Sequence, residues 1–380
     1  MAKIYYIGQY AELSNERNLM IFPSAITKMN YIIGALERAG MSVHIFSPAV
    51  TTNNFFCYYP RKTKQINNSR TVTFVTNFGG PTIIFKFLSR LYSGIQLFLF
   101  LLFTLKRKDK VLVYHSLVYK WPINIARRLK NINLYFEVEE LYHAAWKSHK
   151  NKINDEIRYL SNAKGYVLVN DLIAEKCGFR NSKYSVCYGD YTVVDTEITS
   201  KAQENVNIVY AGVIESVGSD VDLAIQTMYY LPANYKLHIL GYGSDSSIRY
   251  VKRKLSDLNR KRNQNIISYH GCLSGTEYID FLRKCDIGLC TRVLDNELSN
   301  YTFPSKVLVY LGNNLIPVCT PISAVKKSQV SSEVVFSNDL KAESLANAIL
   351  SIIVDSNSQS GKILKKLDSK FVKSLDKLFV

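Results

Sequence analysis

A proline, a hydroxyl and a lysine stand together in the segment Asn300–Pro317, which reads NYTFPSKVLVYLGNNLIP. Pro304 suits the start of a helix, and Ser305 and Lys306 then fall in its first turn. The first backbone N–H groups of a helix have no partner inside the helix, so a hydroxyl and an ammonium beside them complete an anion site. The spacing therefore predicts a site suited to a diphosphate.

Carboxylates are concentrated in a second segment, Phe136–His143, which reads FEVEELYH. Its glutamates follow a predicted strand, and α/β proteins place their chemistry at the carboxyl ends of strands. Burying this much like charge is costly, so part of it must be exposed or paired. Two interpretations stay open for Glu139 and Glu140: they face a substrate, or they form a charge pair at a helix N-terminus.

Other candidate residues also end predicted strands. His115 follows the strand predicted at Lys110–Tyr114, and it either lines a cleft or is a hydrogen-bonded structural histidine. Glycines close several further strands, where they let a ligand approach the backbone: Gly8, Gly212, Gly241 and Gly243.

The sequence lacks the patterns of several common enzyme classes. It contains no Walker A, GxSxG or HExxH motif, which disfavours P-loop kinases, serine hydrolases and zinc proteases. Its seven cysteines are scattered and form no CxxC, which favours free thiols in a reducing compartment over a metal or disulfide framework. The N-terminus has no long apolar run typical of a signal peptide, so we expect a cytoplasmic protein.

Strand and helix patterns alternate along the chain, and the alternation restarts after residue 200. This order predicts an α/β protein with two doubly wound parallel sheets, whose ligands lie beyond the carboxyl ends of the strands. We expect an N-terminal lobe at 1–200 and a C-terminal lobe at 201–355. A basic amphipathic helix at 356–380 is expected to pack back on the lobes.

The second lobe carries the run Cys285-Asp-Ile-Gly-Leu followed by Phe303-Pro-Ser-Lys-Val-Leu-Val-Tyr-Leu-Gly. This combination resembles the donor-binding region of retaining GT-B glycosyltransferases of the group-1 (family 4) type, which reads D-I-G-L, a variable loop, then P-x-K-x-x-E-Y. The resemblance covers about residues 205–355 and is weaker over the first lobe. It implies a GT-B fold, in which two Rossmann-like lobes face a central cleft.

The resemblance also implies roles for single residues. Ser305 and Lys306 would hold the donor diphosphate, with the glycines of the second lobe and Gly8 near the donor. The ribose-binding glutamate of the family is replaced by Val309, and no basic residue follows Gly212 closely. Arg292 or Asn300 from the same loop region could fill these gaps. The D-x-H-E segment of the family aligns with Glu137–Glu140, which places Glu139 at the histidine and Glu140 at the glutamate.

The positive charge is concentrated in the N-terminal third. The whole chain carries a net charge of +17, and residues 1–130 contain 18 basic and 4 acidic side chains. The apolar run Ile95–Leu105 lies in this part, bracketed by basic clusters. At about 1.5 Å per residue it is too short to span a bilayer, so it is either a buried helix or one that dips into a membrane surface.

Together these features predict a cytoplasmic glycosyltransferase that is peripheral at the inner face of the cell membrane. It would move a sugar, with retention, from a nucleotide-sugar donor to a lipid-linked surface-polysaccharide acceptor. No metal or other cofactor is expected. The alternatives are a sugar-nucleotide epimerase of GT-B-like fold and a catalytically degenerate GT-B partner subunit. The charge alone would suit nucleic acid, but no recognisable nucleic-acid motif supports such a partner.

Overall fold

A computed structural model divides the chain into two compact units, residues 1–190 with 369–380 and residues 191–368. The structure describes residues 2–12, 15–145, 148–193, 205–215, 219–292, 301–352 and 361–379. The predicted boundary between residues 200 and 201 and the predicted start of the terminal segment at 356 lie outside the described residues.

The first unit is built on an eight-stranded sheet in the order β10-β9-β8-β7-β1-β2-β5-β4. Only its edge strand β4 runs antiparallel among the pairs described. Strands β3 and β6 form a separate antiparallel ribbon. The strands of this unit are β1 (Lys3–Ile7), β2 (Ser42–Ser47), β3 (Cys57–Tyr59), β4 (Lys62–Gln65), β5 (Arg70–Phe74), β6 (Asn77–Gly79), β7 (Lys110–Tyr114), β8 (Asn133–Val138), β9 (Gly165–Leu168) and β10 (Tyr184–Val186).

Helices cover the first sheet, and short helical turns at Leu117–Tyr119 and Phe100–Thr104 join them. The helices are α1 (Pro23–Arg38), α2 (Ile83–Leu99), α3 (Lys120–Leu129), α4 (Tyr142–Ala145), α5 (Lys150–Leu160) and α6 (Asp171–Cys177). The prediction of a short apolar helix at Ile95–Leu105 is corrected by α2, which continues through Phe100–Thr104 as one segment of 22 residues. Its first half was missed because Lys86, Ser89 and Arg90 interrupt the apolar run without interrupting the helix.

The second unit has a six-stranded sheet in the order β13-β12-β11-β14-β15-β16, parallel throughout the described pairs. Its strands are β11 (Val206–Ile214), β12 (Tyr235–Gly243), β13 (Ile267–Tyr269), β14 (Ile287–Cys290), β15 (Ile316–Cys319) and β16 (Val335–Phe336). Its helices are α7 (Asp220–Thr227), α8 (Asp245–Arg262), α9 (Gly275–Leu282), α10 (Lys306–Gly312), α11 (Ser323–Lys326), α12 (Ala342–Leu350) and α13 (Gly361–Phe379), with a helical turn at Ser331–Glu333.

The apolar strand patterns form the interior of each unit. In the second unit, β11, β12 and β14 contribute fully buried side chains to a core that α7, α8 and α12 complete. In the first unit, the end of α13 joins the core, where Phe371 stacks on Tyr31 and Phe379 lies 4.6 Å from Tyr135 between ring centroids. Helix α13 therefore begins in the second unit and ends in the first. The predicted α/β class with parallel sheets is confirmed.

Candidate functional site

The strand order of the second sheet reverses between β11 and β14. The chain winds from β11 to β12 in one direction and returns to β14 in the other, so a crevice opens beyond the carboxyl ends of these two strands. Gly212 lies near the end of β11, and Cys290 is the last residue of β14. Open α/β sheets bind their ligands at such a reversal.

A cavity of about 360 Å³ lies at this reversal, within the second unit. Its lining residues come from the start of α7, the end of β14 and the start of α10: Asp220, Cys290, Arg292, Phe303, Pro304, Ser305 and Lys306. The structure therefore brings together three of the predicted donor-binding residues, which are Arg292, Ser305 and Lys306.

The ammonium of Lys306 lies near the carboxyl end of β11. Its nitrogen lies 4.5 Å from the ring centroid of Tyr210, and a β-carbon built on Gly212 would approach the same nitrogen to 3.2 Å. Among the described residues, neither Lys306 nor Arg292 forms an ion pair. Two cations that form no ion pair among the described residues, next to the hydroxyl of Ser305, suit a bound polyanion, although the carboxylate of Asp220 lines the same cavity.

The thiol of Cys290 reports the local electrostatics. A hydrogen bond from Cys319, its register partner on β15, lowers the pKa of Cys290; the positive charges of Lys306 and Arg292 lower the pKa further, and the negative charge of Asp220 raises it. Burial acts in the opposite direction and does not reverse the shift. The charges of Lys306, Asp220 and Arg292 therefore all act on the thiol at the end of β14.

Other residues of the recognised motif serve packing. The ring of Tyr310 occupies the space that a β-carbon on Gly288 would need, at 2.3 Å. The Tyr310 hydroxyl accepts a hydrogen bond from the backbone N–H of Ala211 and donates one to the carbonyl of Leu289. Asp286 accepts a bond of 2.7 Å from the N–H of Asn207. The D-I-G-L segment and Tyr310 of α10 thus connect β11, β14 and α10 by hydrogen bonds and close packing.

The packing of the backbone explains why positions 241 and 243 are glycines. A β-carbon on Gly241 would lie 1.8 Å from the carbonyl oxygen of Gly212, and one on Gly243 would lie 2.2 Å from that of Ile214. The two strands pair in parallel up to these residues. The close approach of β12 to β11 therefore requires both glycines, and their predicted contact with the donor stays a prediction.

One predicted donor-side position departs from the site, and another cannot be placed. Val309 is half-buried and packs with Ala211 against the apolar cluster around Leu240 and Leu282. The place of the family's ribose-binding carboxylate is therefore occupied by core packing. Asn300 lies outside the described residues.

The strand order of the first sheet reverses between β1 and β7. Gly8 follows β1 at this point, and a β-carbon there would lie 3.2 Å from Met29 and 3.3 Å from Tyr114. The glycine therefore fits between α1 and β7 with no room for a side chain. Its packing explains the residue type, and a role next to a ligand stays a prediction.

A buried acidic cluster lies close to this reversal. Glu137 is fully buried and accepts a hydrogen bond of 2.6 Å from the hydroxyl of Tyr6. Glu139 forms a salt bridge of 2.8 Å with Lys28, whose ammonium also donates to the carbonyl of Cys187. Each glutamate keeps one buried carboxylate oxygen without a hydrogen-bond partner in the structure.

Burial and the neighbouring charges shift the pKa values of all three groups in this cluster. Burial raises the pKa of Glu137, and the nearby Glu139 raises it further. Burial also raises the pKa of Glu139, although Lys28 opposes that shift. Burial disfavours the charged form of Lys28, but Glu139, Cys187 and Glu137 together outweigh burial and leave the pKa of Lys28 raised. Two carboxyls and one ammonium thus share a low-dielectric site, and the pair favours keeping a proton.

His115 is buried, with 1% of its surface exposed. Its Nδ1 lies 3.2 Å from the carbonyl oxygen of Glu140, and its Nε2 lies 3.3 Å from Glu156. Burial lowers its pKa to about 3. Glu156 in turn accepts hydrogen bonds from the N–H groups of Tyr142 and His143 at the start of α4. Its burial and its hydrogen bond favour the structural interpretation of His115, and a role in a cleft stays a prediction.

Sequence reasoning missed two residues of these sites. Lys28 was hidden in the apolar pattern of α1, although a lysine on the buried face of a helix is itself a signal. Asp220 begins α7 and lines the cavity between β11 and β14. Within the described ranges, no group of three or more histidine, cysteine, aspartate or glutamate side chains is arranged to hold a metal ion.

Comparisons with known proteins bear on the fold. No family model and no curated protein matches the chain. A solved E. coli structure described as trehalose-6-phosphate bound with UDP-2-fluoro glucose has a TM-score of 0.67 at 12% identity, covering 100% of this chain and 98% of its own. The UDP-forming trehalose-phosphate synthase of Burkholderia xenovorans has a TM-score of 0.67 at 9% identity, covering 100% and 99%. A complex of such a synthase from the same organism with glucose-6-phosphate has a TM-score of 0.66 at 10% identity, covering 99% and 98%.

The fold is GT-B. The match extends over the full chain, so it includes the first unit, where the sequence motifs are weakest. The GT-B fold predicted from the D-I-G-L and P-S-K segments is therefore confirmed. Identities of 12% and below establish this fold, and activity has to be argued from the sites themselves.

Proposed function

We propose that the chain is a retaining glycosyltransferase that uses a nucleotide-sugar donor. The observation that carries the proposal is the cavity between β11 and β14, where Lys306 and Arg292 meet the start of α10. A nucleotide sugar leaves as a nucleoside diphosphate, so negative charge develops on the leaving oxygen. Cations and N–H groups fixed beside that oxygen stabilise the transition state more than the ground state.

The proposed mechanism assigns each part of the cavity a task. Ser305 orients the diphosphate through its hydroxyl, and Lys306 meets the developing charge of the diphosphate. Arg292 suits bidentate contact with a second phosphate, because its planar fork matches phosphate oxygens. One of the matching structures concerns glycosyl transfer with retention by trehalose-6-phosphate synthase, and we propose the same stereochemical outcome here.

We propose a lipid-linked glycan as the acceptor, bound by the first unit. The cluster near the reversal of its sheet includes two glutamates and one lysine that is already paired. Carboxyl groups hydrogen-bond to sugar hydroxyls, whereas they repel a phosphate. The acceptor of the matching synthases points instead to a sugar phosphate, since one of them is bound to glucose-6-phosphate. The two acceptor classes therefore have to be compared directly.

A ligand screen followed by product analysis tests the proposal. A nucleoside diphosphate or nucleotide sugar that binds the native chain should raise its Tm, by mass action, when present well above its Kd. The stabilising donor, labelled in the sugar, is then offered with membrane lipid extract or with glucose 6-phosphate. Label in an organic-extractable product supports the lipid-linked acceptor, and label in a water-soluble disaccharide phosphate supports the other class.

Two outcomes would contradict the proposal. Conversion of the donor to an isomeric nucleotide sugar without any acceptor would identify an epimerase. Failure of every nucleotide and nucleotide sugar to change the Tm would favour a degenerate partner subunit, for which the replacement at Val309 would then be the first explanation.

A further inference from the structure

Helix α2 has its polar and apolar faces in the opposite arrangement to that of an ordinary surface helix. Its buried residues are Ser89, Ser93, Gly94 and Leu97. Its outward side carries large apolar side chains at helical spacing, with Ile84 64% exposed and Phe87 64% exposed. A helix on a water-soluble surface normally buries its large apolar residues and exposes its polar ones. A helix in contact with lipid instead packs small residues against protein and turns large apolar ones outward.

Two neighbouring elements extend this apolar surface. The ring of Phe56, which is 71% exposed, lies 5.1 Å edge-on from Phe85 in α2. On the other side, Trp121 of α3 contacts Gly94 so closely that a β-carbon there would lie 2.5 Å from the indole. The same face of α3 exposes Ile125 and Leu129 at four-residue spacing. We call the outward faces of Phe55–Phe56, α2 and α3 the apolar surface.

Basic side chains border the apolar surface. Lys86 and Arg90 are exposed on α2, and Lys106, Arg107 and Lys108 are exposed just beyond its end. Residues 1–130 as a whole contain 18 basic and 4 acidic side chains. A large exposed apolar patch marks a site of interaction with an apolar partner. The cations that border the patch favour a partner whose surface is anionic. Both features together describe an anionic phospholipid bilayer.

We infer that the apolar surface docks the first unit on an anionic phospholipid bilayer, with α2 lying in the plane of the interface. Phe56, Phe87 and their apolar neighbours enter the boundary between headgroups and acyl chains, and the basic residues contact lipid phosphates. This inference does not depend on the proposed function, because neither sugar nor nucleotide takes part in it.

Helix α2 binds the membrane from one side and does not cross it. Ile83–Thr104 is long and apolar enough to span a bilayer by length and composition. Its inner face, however, is fixed to the unit by hydrogen bonds: Ser93 donates to the carbonyl of Pro48, and Gln96 exchanges two bonds with the backbone of Thr76. Spanning would break these contacts and place Lys86 and Arg90 in hydrocarbon.

Vesicle flotation of the full chain tests the inference. We expect binding to vesicles of phosphatidylglycerol mixed with phosphatidylcholine, and much weaker binding to phosphatidylcholine alone. Phe87→Glu should reduce the partition coefficient by roughly tenfold or more, because it removes an inserted ring and adds a repelled charge. Ile84→Glu should act in the same way, and both variants should fold because both side chains are exposed.

Charge is tested separately. Replacing Lys106 and Lys108 by Gln should reduce binding by about fivefold for each charge lost, and added salt should reduce binding of the parent chain. The matched controls are Leu350→Glu and Lys261→Gln, which change exposed residues of the second unit and should leave binding unchanged. Lys306→Ala should also bind vesicles like the parent, so a failed donor site and a failed membrane site give different results.

Three results would overturn the inference. Phe87→Glu and Ile84→Glu could bind like the parent, the parent could fail to bind any vesicle, or bound parent could resist both high salt and alkaline carbonate like a spanning protein. If the parent is instead a dimer in solution that Phe87→Glu converts to a monomer, the apolar surface belongs to a second copy of the chain.

Discussion

The two sheets reverse their strand order in the same way and hold opposite chemistry at the reversal. In the second unit, Lys306 and Arg292 line an open cavity and form no ion pair among the described residues. In the first unit, Glu137, Glu139 and Lys28 are largely buried, and the lysine is already paired. One site has positive charge to offer a ligand, and the other has carboxyl oxygens.

The two sites match two different requirements of a glycosyl-transfer reaction. A departing diphosphate needs cations that are not neutralised by the protein. An acceptor hydroxyl needs hydrogen-bond acceptors held in place, and a buried lysine holds a carboxylate better than solvent does. The same winding of the chain thus provides two sites, and the side chains at the strand ends decide which half of the reaction each can serve.

The largest expected effect removes the charge from the second unit. Lys306→Ala should weaken nucleoside diphosphate binding by about 1.5–3 kcal/mol, or roughly ten- to a hundredfold, because a charge-assisted contact is lost. Isothermal titration of the parent and the variant measures this difference. Lys284→Ala, at an exposed position of the same unit, is the control and should bind like the parent. Equal affinity in a folded Lys306→Ala protein would remove Lys306 from the donor site.

The next prediction asks whether the carboxyl groups of the first unit act on the sugar or acceptor. Glu139→Gln should reduce turnover by at least about tenfold while leaving diphosphate affinity unchanged, because the lost group does not face phosphate. Glu140→Gln tests the second predicted residue in the same way. The variants need a melting curve, since Glu139→Gln leaves the buried Lys28 without its counterion. Turnover within a factor of two of the parent for both would leave the two glutamates with a structural role only.

The buried strands were the most predictable part of the fold. The strand predicted at Lys110–Tyr114 has the same bounds in the structure. Its apolar centre is buried, which is typical of a parallel strand covered on both faces. Strand β4, which reads KTKQ and is fully exposed, was missed because only its antiparallel pairing with β5 makes it a strand.

Side chains whose partners are distant in sequence were harder to predict. The segment around Lys306 was found because a proline and a helix start reveal an anion site locally. The role of Lys28 depends on Glu139 and on the carbonyl of Cys187, which is 159 positions away. The burial of His115 likewise depends on Glu156. No local pattern contains such pairings, because the topology of the sheet creates them.

The last prediction concerns stability and not ligand binding, and it rests on the proton held in the first unit. Burial, with a contribution from Glu139, raises the pKa of Glu137 to about 8 from an ordinary value of 4.5. The folded chain therefore keeps a proton that the unfolded chain releases, so the free energy of unfolding falls as the pH rises from about 4.5 to about 8. Glu137→Gln cannot ionise, and its unfolding free energy should lose this part of the pH dependence.

Urea unfolding of the parent and of Glu137→Gln at a series of pH values measures the effect as the difference between the two curves. Tyr6→Phe sharpens the test, because the Tyr6 hydroxyl stabilises the carboxylate of Glu137 through its hydrogen bond. Without that bond the pKa should rise further, and the decline in stability should extend to higher pH. Parallel curves for the parent and Glu137→Gln between pH 5 and pH 8 would mean that Glu137 is ionised in the folded chain. The first unit would then hold more negative charge than the single Lys28 balances, and the contrast in charge between the two units would be greater.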